Sequence, residues 1–170
     1  FGISKVSNGL GVLSMCVGNS SAARKNFEKS IQIGIKLRRV EELVIARTNL
    51  AELHHCMGNF RKGFELVNTT IKESREVRHR HGLGLALRYR SILLTDLARY
   101  AEAEENAQMA LEIHKELDNE QEQLGALVSL LRSLISQQKL YEASPMLNQA
   151  LNFVENYDSE GHFPILLAWK

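Results

Sequence analysis

Apolar and small residues recur at fixed places along this chain, and an offset of 40 residues superposes it on itself four times without a gap. Ala23, Gly63, Ala103 and Ala143 share one small-residue column, and Phe27, Val67, Ala107 and Leu147 share an apolar column four residues on. Ser30, Thr70, Ala110 and Ala150 follow, and then Ile31, Ile71, Leu111 and Leu151. Offsets of 0, 4, 7 and 8 place these columns on one helical face. Upstream, Gly11, Ala51 and Ser91 form a second small column, preceded by Leu10 and Leu50 and by Leu130 in the fourth unit; Arg90 and Leu131 depart from the pattern. Between the two sets lie Gly18-Asn19-Ser20, Gly58-Asn59-Phe60, Ala98-Arg99-Tyr100 and Gln138-Lys139-Leu140, where one helix stops and another starts. The pattern predicts helices over 3–17, 20–37, 42–57, 60–79, 83–97, 100–118, 121–137 and 140–157. A ninth is expected to begin near Pro164, whose fixed φ suits a first helical position. Pro145 fits the eighth only if that helix starts near Glu142, because deeper in a helix proline removes a hydrogen bond and clashes.

Each unit is thus a pair of helices that cannot bury its apolar face alone, so neighbouring pairs must stack into an all-α solenoid. In Leu50-Ala51, Gly58-Asn59-Phe60, Tyr100 with Ala103 and Ala110, and Tyr141-Glu142-Ala143 with Ala150-Leu151, the chain resembles the tetratricopeptide repeat (TPR) family over essentially its whole length. That family's usual period is about 34 residues. Its usual proline closing the second helix is absent at Ile35, Arg75, Lys115 and Glu155, so the second helices are expected to run longer. The longer form resembles arrays found beside ATPase, kinase, cyclase or DNA-binding modules in large signalling proteins. The resemblance implies one array over 1–170, a right-handed superhelix with units 1–40, 41–80, 81–120 and 121–160 and the start of a fifth over 161–170. Because the chain begins at Phe1 and stops at Lys170 just after an apolar stretch, it is expected to be a segment of a longer protein.

The resemblance further implies that first helices line a concave surface which binds an extended peptide or a helix. Its outward positions would be Asn8, Val12 and Met15; Thr48, Asn49, Glu52 and His55; Arg88, Tyr89, Ile92, Thr95 and Asp96; and Val128, Ser129, Arg132, Ile135 and Ser136. Chaperone-binding members hold a C-terminal carboxylate with five clamp positions, which here read Asn8, Val12, Asn49, Leu85 and Tyr89, and only Asn49 matches. One repeat on they read Thr48, Glu52, Tyr89, Gly125 and Ser129, with no match, which argues against a chaperone tail as ligand. Arg88 and Arg132 remain as groove cations, each able to grip a carboxylate with two parallel hydrogen bonds. Tyr89 can stack on a ligand or cover the adjoining helix.

Composition changes this picture little. With 44% hydrophobic and 24% charged residues and two prolines, it is that of a soluble helical domain. The longest apolar run, Ile165 to Trp169, falls far short of the roughly 20 residues a membrane helix needs. Two cysteines, Cys16 and Cys56, cannot form a disulfide framework, which favours a reducing, cytoplasmic setting. Charge changes it more. Residues 1–90 hold 16 Lys/Arg against 7 Asp/Glu, a net of +9, whereas residues 91–170 hold 5 against 13, a net of −8. The excess gathers at the corners between units: Lys36, Arg38 and Arg39, then Arg75, Arg78, His79, Arg80 and His81, against Asp118, Glu120 and Glu122, then Glu155, Asp158 and Glu160. Opposite halves favour head-to-tail self-association, and Ile165, Leu166, Leu167 and Trp169 offer a second, apolar route to an oligomer. The acidic half and the lack of interleaved aromatics disfavour nucleic acid as partner.

Enzymatic chemistry finds no support. Gly82-Leu83-Gly84 and Gly9-Leu10-Gly11 lack the third glycine of a dinucleotide loop and no strand precedes them. No phosphate-binding loop, zinc-protease motif or serine elbow is present, and the paired carboxylates Glu104-Glu105 are expected to face water. His54-His55-Cys56 cannot chelate together, since adjacent helical residues point about 100° apart. No catalytic residue, metal or cofactor is therefore assigned, and the expected partner is a protein or peptide, recruited to or regulating a signalling module; a ligand-sensing regulatory domain and a self-assembly scaffold are the alternatives.

Overall fold

The computed structural model describes residues 2–157, which form eight α-helices: α1 (Ile3–Cys16), α2 (Ser20–Lys36), α3 (Val40–Cys56), α4 (Phe60–Glu76), α5 (Arg80–Asp96), α6 (Tyr100–Glu116), α7 (Glu120–Ser136) and α8 (Leu140–Tyr157). The ninth helix expected near Pro164, and the apolar patch from Ile165 to Trp169, lie outside the described residues. From α2 to α7 every helix has 17 residues. Each helix from α1 to α7 is followed by the same kind of turn, whose middle residue has positive φ: Gly18, Arg38, Gly58, Arg78, Ala98, Asp118 and Gln138, with φ between 51° and 75°. After α1 the Asn19 N–H donates to the Ser14 carbonyl (2.8 Å) and the Gly18 N–H to the Met15 carbonyl (3.0 Å). After α4 His79 and Arg78 do the same to Ser74 and Arg75 (2.8 and 3.2 Å). These are the paired bonds of a Schellman turn, which satisfy the helix's last carbonyls. The next helix then starts at once, capped by the side chain of Asn19, His79 or Asn119 accepting from the backbone N–H three residues on.

This geometry corrects the expected boundaries. The second helices stop at Lys36, Glu76 and Glu116 rather than at 37, 79 and 118, and the next ones start at Val40, Arg80 and Glu120 rather than at 42, 83 and 121. The residues beyond a 34-residue period therefore lengthen both members of each pair, because Arg38, Arg78 and Asp118 adopt the left-handed turn that glycine adopts at 18 and 58. The eighth helix starts at Leu140, as the repeat predicts, so the condition that it start near Glu142 to hold Pro145 does not apply: Pro145 lies in its second turn. That proline leaves the Tyr141 carbonyl without its helical donor, and Tyr141 is fully exposed, so water can serve it.

Consecutive helices pack against one another throughout, and α1 also touches α3, α3 touches α5, and α5 touches α7. The second helices have no comparable mutual contact among the described residues. The stack therefore curves, with α1, α3, α5 and α7 on its inner side. Small residues permit this approach. A Cβ on Gly11 would lie 2.4 Å from Cε1 of the fully buried Phe27, and one on Gly34 would lie 3.3 Å from Cβ of Leu43. Leu53, Leu87, Leu94, Leu111, Leu127 and Leu131 fill the interior, each contributing roughly 1.5–3 kcal/mol on burial. Leu131, which breaks the small-residue column, is fully buried in that core.

One polar side chain in this interior is unusual. His114 on α6 is fully buried, its ring 5.9 Å from that of His81 on α5, which in turn lies 6.3 Å from His79. No side chain among the described residues bonds either ring nitrogen of His114, and the Gly84 backbone is the polar group that favours its protonated form. Burial, followed by the His81 and Arg88 charges, pushes its pKa from 6.5 down to about 4. Burial likewise lowers His54 and His79.

Gly58→Ala is expected to lower stability by roughly 1–2 kcal/mol, the cost of a left-handed Cβ, whereas Arg78→Gly is expected to raise it by up to about 1 kcal/mol; urea unfolding at neutral pH reads both. For His114, a folded-state pKa below the unfolded one stabilises the chain above pH 6.5 and loses that contribution as pH falls toward 4. His114 alone is expected to cost about 2 kcal/mol between pH 7 and pH 5, and His114→Leu to remove that share of the pH dependence.

Candidate functional site

The inner side of the stack carries a chain of polar contacts running from one first helix to the next. Asn49 on α3 donates through Nδ2 to Oδ1 of Asn8 on α1 (3.0 Å). The Tyr89 hydroxyl on α5 donates to Oε2 of Glu52 on α3 (3.0 Å), and burial, with the Glu52 carboxylate adding to it, pushes the Tyr89 pKa up to about 12, so it stays a donor. The two oxygens of Asp96 on α5 separate their work: Oδ2 accepts from Nε2 of His55 on α3 and Oδ1 accepts from the Arg132 guanidinium on α7. Arg88 on α5 reaches Glu122 on α7 (3.4 Å) with its guanidinium 4.9 Å from the Tyr89 ring centroid. Gly125 makes room for it, since a Cβ there would press on the Arg88 side chain at 3.3 Å.

This arrangement revises the role expected of the two groove cations. Arg88 is half-buried and already paired with Glu122, whereas Arg132 is exposed and lines the groove with its guanidinium engaged by Asp96. Three outward assignments are also corrected. Thr48, Thr95 and Ser129 are buried and turn their hydroxyls back onto the helix, Thr48 to the Val44 and Ile45 carbonyls, Thr95 to that of Ser91 and Ser129 to that of Gly125. Each lies a fraction of a turn inside the groove line, where a small hydroxyl fills the seam between helices. Val12, Met15 and Val128 are half-buried and pack against the core. Ile92 is half-buried, while Ile135 and Ser136 are exposed. Between α3 and α5 lies a cavity of about 310 Å³, lined by Ala51, Glu52, His55, Cys56, Tyr89, Ile92, Leu93 and Arg132. His54, beside His55, is buried and Cys56 is exposed, so the triplet points three ways.

Outside this face the corner charges also find one another. Arg80 from the basic second corner pairs with Glu116 beside the acidic third corner, across the α5–α6 pair. Among the described residues no group of three or more His, Cys, Asp and Glu side chains is placed to hold a metal ion, and no helix is long and apolar enough to cross a membrane. Reasoning from sequence placed Gly125 at a clamp position and Glu122 at an acidic corner, but missed that the two together seat Arg88 on the inner face.

The fold has solved counterparts. Apo RapI is similar over 91% of this chain and 57% of its own, with a TM-score of 0.79 and 13% identity. BtubC (BKLC) from P. vanneervenii is similar over 91% and 63%, with a TM-score of 0.75 and 22% identity. A Podosopora anserina putative kinesin light chain with nearly identical TPR-like repeats is similar over 96% and 80%, with a TM-score of 0.71 and 16% identity. At these identities the likeness is one of fold, and this chain spans less than two thirds of the length of the first two. No family model matches the sequence, and no curated protein does. The fold is a TPR-like all-α solenoid.

Asp96 on α5 joins His55 on α3 to Arg132 on α7, so Asp96→Ala is expected to lower stability by about 1–3 kcal/mol. A double-mutant cycle with Arg132→Ala, followed by urea unfolding, checks the link: additive effects would mean that the pair carries no coupling.

Proposed function

We propose that the chain is a non-enzymatic protein-interaction module of a cytoplasmic signalling protein, binding a peptide or helix along the inner face of α1, α3, α5 and α7 and bringing it to, or regulating through it, another module of the same polypeptide. What supports the reading most is the state of that face. Its charges are paired within the protein, and between them remain apolar spots at Ile92, Val128 and Ile135 and the cavity beside Tyr89. A surface of this kind favours a ligand that inserts aliphatic or aromatic side chains and hydrogen-bonds Glu52 or Asn49, over one read chiefly by its carboxylates. The 40-residue form of the repeat, as in the large signalling proteins the sequence resembles, fits the same role.

Affinity capture from a lysate of the source cells tests it. A partner held by the inner face is expected to stay bound at 0.5 M salt, since the contact is mainly apolar. Ile92→Glu and Ile135→Glu are expected to weaken it at least about tenfold, or about 1.4 kcal/mol. Met109→Glu on the outer side of α6 serves as the control and is expected to leave it unchanged. Equal loss with all three substitutions, or with none, would remove the assignment to this face.

A further inference from the structure

Within the array the α3–α4 pair departs from its neighbours at three positions that lie together. Where α5 has Leu87 and α7 has Leu127, α3 has Arg47; where α6 has Ile113 and α8 has Phe153, α4 has Glu73; and where α6 has His114, α4 has Ser74. Leu87, Ile113 and Leu127 belong to the core, and Arg47 is nearly as deep, at 8% exposed. An ion pair of Arg47 with Glu73 thus stands where the next repeat has two aliphatic side chains. A buried pair of this kind holds a fold together no better than apolar residues of the same volume, because its charges give up their water.

Beside this pair the packing leaves a space. Between α5 and α6 the imidazole of His114 fills the corresponding position against Gly84. Between α3 and α4 the two residues are Ser74 and Val44, and a cavity of about 190 Å³ remains, with Val40, Leu43, Val44 and Val77 as its apolar lining. Arg47, Glu73 and Ser74 supply its polar lining, with Glu76 at the exposed end of α4. The Ser74 hydroxyl is 1% exposed and has no hydrogen-bond partner among the described residues, whereas Thr70, one turn earlier and also in the lining, donates to the Leu66 carbonyl (2.8 Å). No residue assigned to the inner face lines this cavity.

The lining sorts ligands by charge and size. An anion would compete with Glu73 for Arg47 and would face Glu76 as well, and a cation would have to draw Glu73 away from Arg47. A neutral amide does neither: its carbonyl can accept from the Ser74 hydroxyl and the free N–H groups of Arg47, its amide N–H can donate to Glu73, and a branched alkyl group suits the valines and Leu43. The volume lies below the roughly 300–1,000 Å³ of sites for drug-sized ligands, so the occupant is smaller than those.

We propose that the cavity between α3 and α4 is a binding site for a small neutral amide with a branched alkyl group, taken up as a free molecule. The site lies apart from the inner face and does not depend on what that face binds.

Isovaleramide is the probe, titrated into the isotope-labelled full chain and followed by the NMR shifts of backbone amides. Saturable shifts centred on residues 40–47 and 70–77 are expected, with a Kd of about 1 mM for so small a ligand. Isovalerate and isoamylamine, its anionic and cationic analogues, are expected to bind at least about tenfold more weakly, and Ser74→Ala is expected to weaken isovaleramide by a similar factor. A peptide ending in leucinamide, which carries a similar group on a longer chain, is expected not to bind. Arg47→Leu with Glu73→Ile installs the residues of the next repeat; it is expected to abolish binding while its urea midpoint stays at or above that of the unmodified chain, which separates loss of the site from loss of the fold. No saturable shift with isovaleramide, equal affinity for either charged analogue or for the peptide, or binding unchanged in Ser74→Ala or in the double variant would each overturn the proposal.

Discussion

A left-handed residue at the centre of each interhelical turn is the constraint on which the rest of this structure depends. The two backbone hydrogen bonds of a Schellman turn form only when that residue has positive φ, and they consume the last carbonyls of one helix while releasing the chain to begin the next. Because the turn repeats with the same geometry from Gly18 to Gln138, successive helices set off from equivalent positions and keep their side chains in register. Only Gly18 and Gly58 reach this conformation without a Cβ penalty. At Arg38, Arg78, Ala98, Asp118 and Gln138 the packing of the helices on either side holds an L-residue in a conformation it disfavours by itself. The register of the array is thus enforced by tertiary packing as much as by the turns.

Register in turn creates the inner face. Once first helices repeat at a constant offset and lie side by side, a side chain on one can meet a fixed counterpart on the next. Asn8 with Asn49, Glu52 with Tyr89, His55 with Asp96, Arg88 with Glu122 and Asp96 with Arg132 are five such meetings. A single exposed ion pair contributes little, about 0–1 kcal/mol. Linked from α1 to α7, however, they orient one another and leave a face whose polar groups have their partners in place. The cost of binding falls for a ligand that brings apolar groups, because few charges need to be stripped of their partners, and rises for one that must displace Asp96 from Arg132.

The periodic part of this architecture is readable in the sequence. The small columns through Gly11 and Ala23 mark the places where backbones approach, and Phe27 fills the space that Gly11 leaves. The Gly-Asn turns at 18 and 58 announce two of the interhelical connections. What cannot be read is whatever depends on a partner distant in sequence. The ends of α2, α4 and α6 differ from expectation because Arg38, Arg78 and Asp118 carry no local mark of a left-handed turn. Arg88 and Arg132 read as free cations because Glu122 and Asp96 lie 34 and 36 residues away, on another helix. Thr48, Thr95 and Ser129 fall on the other side of the groove line by a small rotation about the helix axis, enough to turn a hydroxyl from solvent onto its own backbone.

His114 shows why an array of this kind distributes its polar groups so unevenly. The buried residues at the matching position of the other second helices are smaller, Gly34 on α2, Ser74 on α4 and Val154 on α8, and only on α6 does an imidazole stand there. Gly84 opposite it supplies the space, since a Cβ at that position would lie 2.6 Å from the imidazole Nε2. A neutral imidazole without side-chain partners packs in this setting much as an apolar filler does, and burial with the nearby His81 and Arg88 outweighs the Gly84 backbone in opposing its protonation. The acidic side chains that could stabilise a charged imidazole are directed elsewhere, Glu122 to Arg88 and Glu116 to Arg80. The same pairing that neutralises the inner face and the corner of the array thereby keeps its most buried titratable side chain uncharged.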